Sequence, residues 1–223
     1  MKEAFTAQMF GVYGFGLLET LYMVIVSTIV SYIFGLPIGV LLVCTDKNGI
    51  TPVPWLNAAV GFIVNIMRSI PFIILLVLVS PVTRAITGTT IGSTATIVPL
   101  VFSAAPYISR VVEQSLKEVD GGVIEAATSM GASPMQIITK VLLPESKPSL
   151  ILGAALATIT IIGYTAMAGF VGGGGLGTIA VNYGYYRYRT VIMIVTVVII
   201  VALVQAFQEL GLYLSSKLDR RKQ

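Results

Sequence analysis

Side chains that carry most enzyme chemistry are scarce in this 223-residue chain. Histidine is absent, which excludes His-based metal sites, Ser-His and Cys-His nucleophiles and His proton shuttles. A single cysteine, Cys44, excludes an internal disulfide framework and reads as a reduced packing residue. Gly172, Gly174 and Gly177 have dinucleotide-fingerprint spacing. They follow an apolar helical run with no βαβ unit, so the fingerprint lacks its required context. The run reads instead as an outer turn near a pathway mouth or as a plain connector. No GxxxxGK[ST] occurs, so this chain is not expected to bind ATP itself. Two residues remain with chemistry to offer inside apolar sequence. Arg68 costs at least about 2.5 kcal/mol in a bilayer, so it either has a paired or functional role or snorkels towards water. Met167 lies between Gly163 and Gly169. It either plugs a narrow pathway, with small neighbours that let it move aside, or simply packs.

The elements that must position these residues follow from composition. Hydrophobic residues make up 56 % and charged residues 11 %, and mean hydropathy is +0.91. A soluble domain carries about 25 % charged residues, so this chain cannot cover a core and still face water. An ordinary cytosolic enzyme, a disordered tail and a fibrous repeat are excluded. Residues 20–45, 85–109, 148–186 and 190–208 are free of charge, and 69–83 is a fifth gap that extends backwards if Arg68 is tolerated. The apolar runs are continuous, not alternating, which predicts helices over a barrel. The expectation is an all-α integral membrane chain with five transmembrane helices, at about 17–43, 57–80, 90–110, 149–171 and 190–214. A segment 1–16 precedes this single transmembrane domain, 17–214, and a basic tail, 215–223, follows it. The first apolar run lacks a cleavage site and is expected to stay as a helix.

Lys and Arg counts set the orientation. With the N-terminus outside, the inner segments hold Lys47, Arg110, Lys117, Lys140, Lys147, Lys217, Arg220, Arg221 and Lys222. The outer segments hold Lys2, Arg84, Arg187 and Arg189. This bias places the N-terminus outside, the C-terminus in the cytoplasm and the loop 111–148 in the cytoplasm. The basic excess is thus an orientation and lipid-contact signal. No basic-aromatic stripe points to nucleic acid. Gly35 and Gly39 bracket Pro37 at a spacing that permits close helix approach.

Loop 111–148 is the most informative segment. Residues 110–118 extend the third span, and Asp120, Gly121 and Gly122 are expected to end it. Residues 123–130 (VIEAATSM) predict a two-turn helix closed by Gly131. Ser133, Pro134 and Gln136 have the pattern of a capping box. Pro144 is expected to break the chain before the fourth span. The short helix, with small Ala126 and Ala127, soft Met130 and Glu125 near its start, either inserts into another protein's groove or shields the inner face of the bundle.

Glu125, Ala126, Ala127, Gly131, Val141, Leu143 and Pro144 together resemble the EAA signature of ABC-importer permeases. Residues 68–76 (RSIPFIILL), 97–100 (IVPL), 104–106 (AAP), 130–137 (MGASPMQI), 163–167 (GYTAM), 175–177 (GLG) and 183–185 (YGY) resemble the methionine-uptake branch of that family. The likeness covers roughly residues 17–190 and departs from the pattern at the four glycines 172–175. It implies a type I importer permease in the bacterial plasma membrane, working as a homodimer. It also implies two cytoplasmic ATPase subunits carrying ATP and Mg, an external substrate-binding protein and a small amino-acid substrate, with no cofactor on this chain. Coupling residues would be Glu125, Ala126, Ala127, Met130, Gly131, Leu143 and Pro144. Met167, Tyr164 and Arg68 would line or gate the pathway. The rival reading is a channel or ion-coupled secondary transporter. The absence of an internal repeat and of acidic residues at mid-span weighs against it.

Overall fold

The computed structural model describes residues 6–218. No strand occurs among them. In chain order the α-helices are α1 Ala7–Thr45, α2 Pro54–Ser69, α3 Phe72–Leu78, α4 Ser80–Thr87, α5 Ser93–Lys117, α6 Gly121–Ser129, α7 Pro134–Ile137, α8 Leu143–Glu145, α9 Lys147–Ala168, α10 Gly175–Ile179 and α11 Thr190–Leu218. Wider π-turns join α7 to α8 (Ile138–Leu142) and continue α10 (Ala180–Tyr185). Among the described residues, four helices are long and apolar enough to cross a bilayer, and the α2–α3 pair makes a fifth if it is one span.

That pair corrects the expected straight helix over 57–80. The chain bends by 104° between Ser69 and Phe72. Pro71 has no N–H to continue the α2 ladder, and Ile70 before it sits in extended backbone (φ −81°, ψ 121°). The first helix also differs from expectation. It starts at Ala7, capped by the Thr6 hydroxyl, so residues 7–16 belong to it. Residues 1–5 of the expected external segment lie outside the described residues, as do 219–223 of the basic tail; Lys217 closes α11.

In lipid, helices associate through close packing of small residues, because apolar burial gives little gain there. The α1–α5 contact uses this. A Cβ at Gly35 would lie 2.8 Å from Ile108 Cγ2, and one at Gly39 would lie 2.6 Å from the Ser109 carbonyl. Pro37 in α1 and Pro99 and Pro106 in α5 interrupt neither helix. Around this contact Met23, Leu100, Ile108, Val112, Ile161 and Ile162 form the centre of the core. Further along, Gly153 accepts Val111, and Gly211 accepts Ala155.

The helices have two chemically distinct ends. Ser149 of α9 donates to Ser115 of α5 at 3.0 Å, and Ser215 of α11 donates to the Pro148 carbonyl at 2.9 Å. The loop 118–146 and the C-terminal end of α11 therefore share one end of the bundle. The glycine-rich turn after α9 lies at the other, against the start of α5 and the first half of α1.

Candidate functional site

The loop between α5 and α9 is built by local rules. α5 ends at Lys117, and Asp120 then starts the next helix, its Oδ1 accepting from the Gly122 N–H at 2.6 Å. Gly121 and Gly122 are thus the first residues of α6, where an N-cap carboxylate outweighs their low helix propensity. This corrects the expectation that they only terminate the preceding helix. Gly131 closes α6 with φ +78°, a conformation that favours glycine. Ser133 and Gln136 form a reciprocal capping box: Ser133 N–H donates to Gln136 Oε1 at 2.8 Å, and Gln136 N–H donates to Ser133 Oγ at 3.4 Å.

Pro144 does not break the chain as expected. It stands in the first turn of α8, where a missing N–H costs little, directly after the π-turn. The interruption falls at Ser146, whose hydroxyl bonds back to the Leu142 carbonyl at 2.6 Å.

The two alanines of α6 differ in burial. Ala127 is buried in the core with Leu116, Val119, Ile137 and Leu142, so it seats α6 on its own bundle. Glu125 and Ala126 are exposed. Met130 is 82 % exposed, and Met135 of α7 (65 %) and Val123 (44 %) are exposed too. Soft apolar side chains on a firmly seated helix make a surface suited to a partner's groove. Reading the sequence singled out Met130 and missed Met135 and Val123; their exposure depends on how α6 and α7 are set against each other. Leu143 and Pro144 are partly buried, and the anchors beside them, Ile137 and Leu142, are almost fully so.

The pathway candidates lie on other elements. Arg68 occupies the last turn of α2, where a cation is favoured by the helix dipole, with its guanidinium 5.9 Å from the Tyr107 ring centroid. It stands at the bend, not in the middle of a straight span. Tyr164 stacks on Phe72 across α3 and α9, with centroids 4.6 Å apart and planes at 9°. Met167 is 45 % exposed. Gly163, one turn before it, has open space where a Cβ would be. Leu156, Gly163 and Met167 share this exposed face of α9, and Phe170 continues it in the 3-10 turn Gly169–Val171.

The glycine run 172–177 is occupied by its own chain. Gly175 N–H donates to Glu19 Oε2 at 2.8 Å and Leu176 N–H to Thr20 Oγ1 at 2.9 Å. Thr96 Oγ1 donates to the Gly173 carbonyl at 3.1 Å, and Gly92 N–H donates to the Gly172 carbonyl at 3.0 Å. The amides that would cradle a phosphate are thus spent: those of Gly175 and Leu176 on α1, those of Gly172 and Gly173 on the carbonyls of Gly169 and Ala168. No metal-ligating cluster occurs among the described residues.

Comparison with known proteins agrees with this architecture. The chain is 49 % identical over 203 residues to the probable D-methionine transport system permease protein MetI of Vibrio cholerae, covering 91 % of this chain and 90 % of that one. It is 53 % identical over 154 residues to the D-methionine transport system permease protein MetI of Escherichia coli K12, covering 69 % and 71 %. A chain of the MetNI methionine ABC transporter, solved in inward-facing conformations, matches with a TM-score of 0.95 at 47 % identity, over 96 % of this chain and 100 % of that one. Residues 35–218 match the profile of the binding-protein-dependent transport system inner membrane components, and the chain belongs to that family.

Proposed function

We propose that this chain is the membrane-spanning permease subunit of an ATP-driven importer for methionine in the bacterial inner membrane. The observation that carries the reading is the α6–α7 surface: Val123, Met130 and Met135 stand exposed on a loop whose Ala127 is locked into the bundle. A rigidly seated apolar knob is what a moving partner needs in order to grip. The relatives named as methionine transport permeases supply the substrate class.

In this reading five spans enclose little alone, so two copies form the pathway about a two-fold axis. Two cytoplasmic ATPase subunits hold ATP and Mg and take α6 in their grooves. Glu125, Ala126, Met130 and Met135 meet the ATPase. Ala127, Gly131, Leu143 and Pro144 hold the loop in shape. An external binding protein delivers methionine at the glycine-turn end. The N-terminal end of α1 faces outside, and the coupling loop and C-terminus face the cytoplasm. Nucleotide binding favours one arrangement of the halves and hydrolysis the other, which gives alternating access. Met167, on the open face of α9 beside Gly163, serves as the gate. Arg68 and Tyr164 fix the inner and middle parts of the path through Tyr107 and Phe72.

The test is uptake of labelled methionine into vesicles carrying the chain, its ATPase and its binding protein. Uptake is expected to require ATP inside, with D- and L-methionine as competitors that define stereochemistry. Uptake driven by an ion gradient without ATP would overturn the reading in favour of a secondary transporter. Ala126→Asp is expected to remove the ATPase from the purified complex while the permease stays membrane-inserted.

A further inference from the structure

Above the coupling loop lies a charge cluster that neither docking nor the pathway uses. Glu113, one turn before the end of α5, is only 9 % exposed. Its Oε2 accepts from Arg110 Nη1 at 2.6 Å and its Oε1 from Lys117 Nζ at 2.9 Å. Arg110 also reaches across to α2, donating to the Gly61 carbonyl at 3.0 Å and to Asn65 Oδ1 at 2.9 Å. Lys117 reaches the other way, to Asp46 Oδ2 at 2.8 Å, immediately after the last residue of α1. The arms towards α1 and α2 therefore meet on one buried carboxylate. That carboxylate stands on the helix that leads into the coupling loop.

The helices need these arms unequally. α1 and α5 interlock through Gly35 and Gly39 without any charge. Among the residues of α2, only Gly61 and Val64 are buried. Its apolar hold on the bundle is thin, and the Arg110 arm is its main polar tie to α5. α2 in turn leads to the bend at Ser69, beside Arg68.

We propose that Glu113 is a positioning residue for transport, which makes α1 and α2 follow α5 when the coupling helix is displaced. The proposal rests on the importer reading. Arg68 on Tyr107 and Phe72 in the core already tie the bend to α5 and α9; the Glu113 arm adds the middle of α2, at Gly61 and Asn65, so that α2 moves with α5 along its length.

The experiment measures ATP consumed per methionine delivered by the complete complex of permease, ATPase and binding protein in liposomes, with assembly checked by co-elution. E113Q is expected to raise that ratio about fivefold or more, N65L about twofold, D46N by less than N65L, and K117R, which keeps both arms, to leave it near wild type. A wild-type ratio in an assembled E113Q complex, whatever its thermal stability, would make the cluster a static fastening and overturn the proposal. If E113Q fails to assemble, unchanged ratios in both D46N and N65L overturn it equally. If the unaltered complex moves methionine without ATP, the importer reading fails instead, which separates the two.

Discussion

At the end that carries the loop 118–146, α1, α2 and α5 are tied by charged side chains that meet at Glu113, whereas at the opposite end α1, α5 and α9 are tied largely through the backbone of a glycine turn. The first kind of tie has reach. Long Arg and Lys stems can follow a moving carboxylate by changing rotamer. The second kind does not. Gly172, Gly174 and Gly175 have φ of +75°, +85° and +70°, and at Gly169 an added Cβ would meet the backbone of Gly177. One end is thus built to stay engaged while it shifts, the other to hold a fixed shape. That division suits a subunit driven from one side of the membrane and loaded from the other.

The contrast is breakable in stages. Glu113→Ala removes the acceptor shared by Arg110 and Lys117, which keep only their outer partners, and is expected to cost about 2–3 kcal/mol in unfolding of the solubilised complex. Gly169→Ala should cost about 1–3 kcal/mol through overpacking at the rigid end. Gly163→Ala, inside α9 and in open space, should be neutral or gain up to about 1 kcal/mol. Equal losses at the two glycines would remove the claim that the glycine turn is sterically fixed. Glu19→Gln keeps an acceptor for Gly175 N–H but loses the charge, and about 1 kcal/mol is expected by the same melt.

The smallest effect belongs to Asp46. The Lys117 ammonium first, and the Lys47 N–H second, hold its carboxyl below the usual carboxylate range. Its stabilisation is therefore present above the ordinary value of about 3.9 and lost as pH falls through the lowered one. The side chain is 37 % exposed, so Asp46→Asn should cost under about 1 kcal/mol at pH 7. Wild type and variant should converge in melting temperature as the pH drops below about 4. A gap that persists at lower pH would give Asp46 a role beyond its charge.

What the sequence made legible was local. Charge-free runs locate helices because lipid leaves backbone groups no other partner. The capping box of Ser133 and Gln136 was legible because both halves lie within one turn. The break at Ser69 was hidden inside a hydropathy window that continues on both sides, although Pro71 marked it. Which way Ala127 points was not legible, since a nine-residue helix can be turned either way and its seat is made by Leu116, Ile137 and Leu142 from other elements. Glu113 offered the i−3 and i+4 spacing of helix ion pairs, but the reach of Arg110 to Gly61 and of Lys117 to Asp46 exists only in three dimensions. The clasp of Glu19 on Gly175 spans 156 positions and left no trace in pattern or composition.

α1 is a single helix of 39 residues. Glu19 holds one anchorage and Asp46, just past its end, holds the other, about 40 Å away by helical rise. Between these points α5 grips the beam at Gly35 and Gly39, and that grip is its natural pivot. A small sideways push at the Asp46 end then arrives at the Glu19 end as a swing in the opposite sense, with no need for the helix itself to bend.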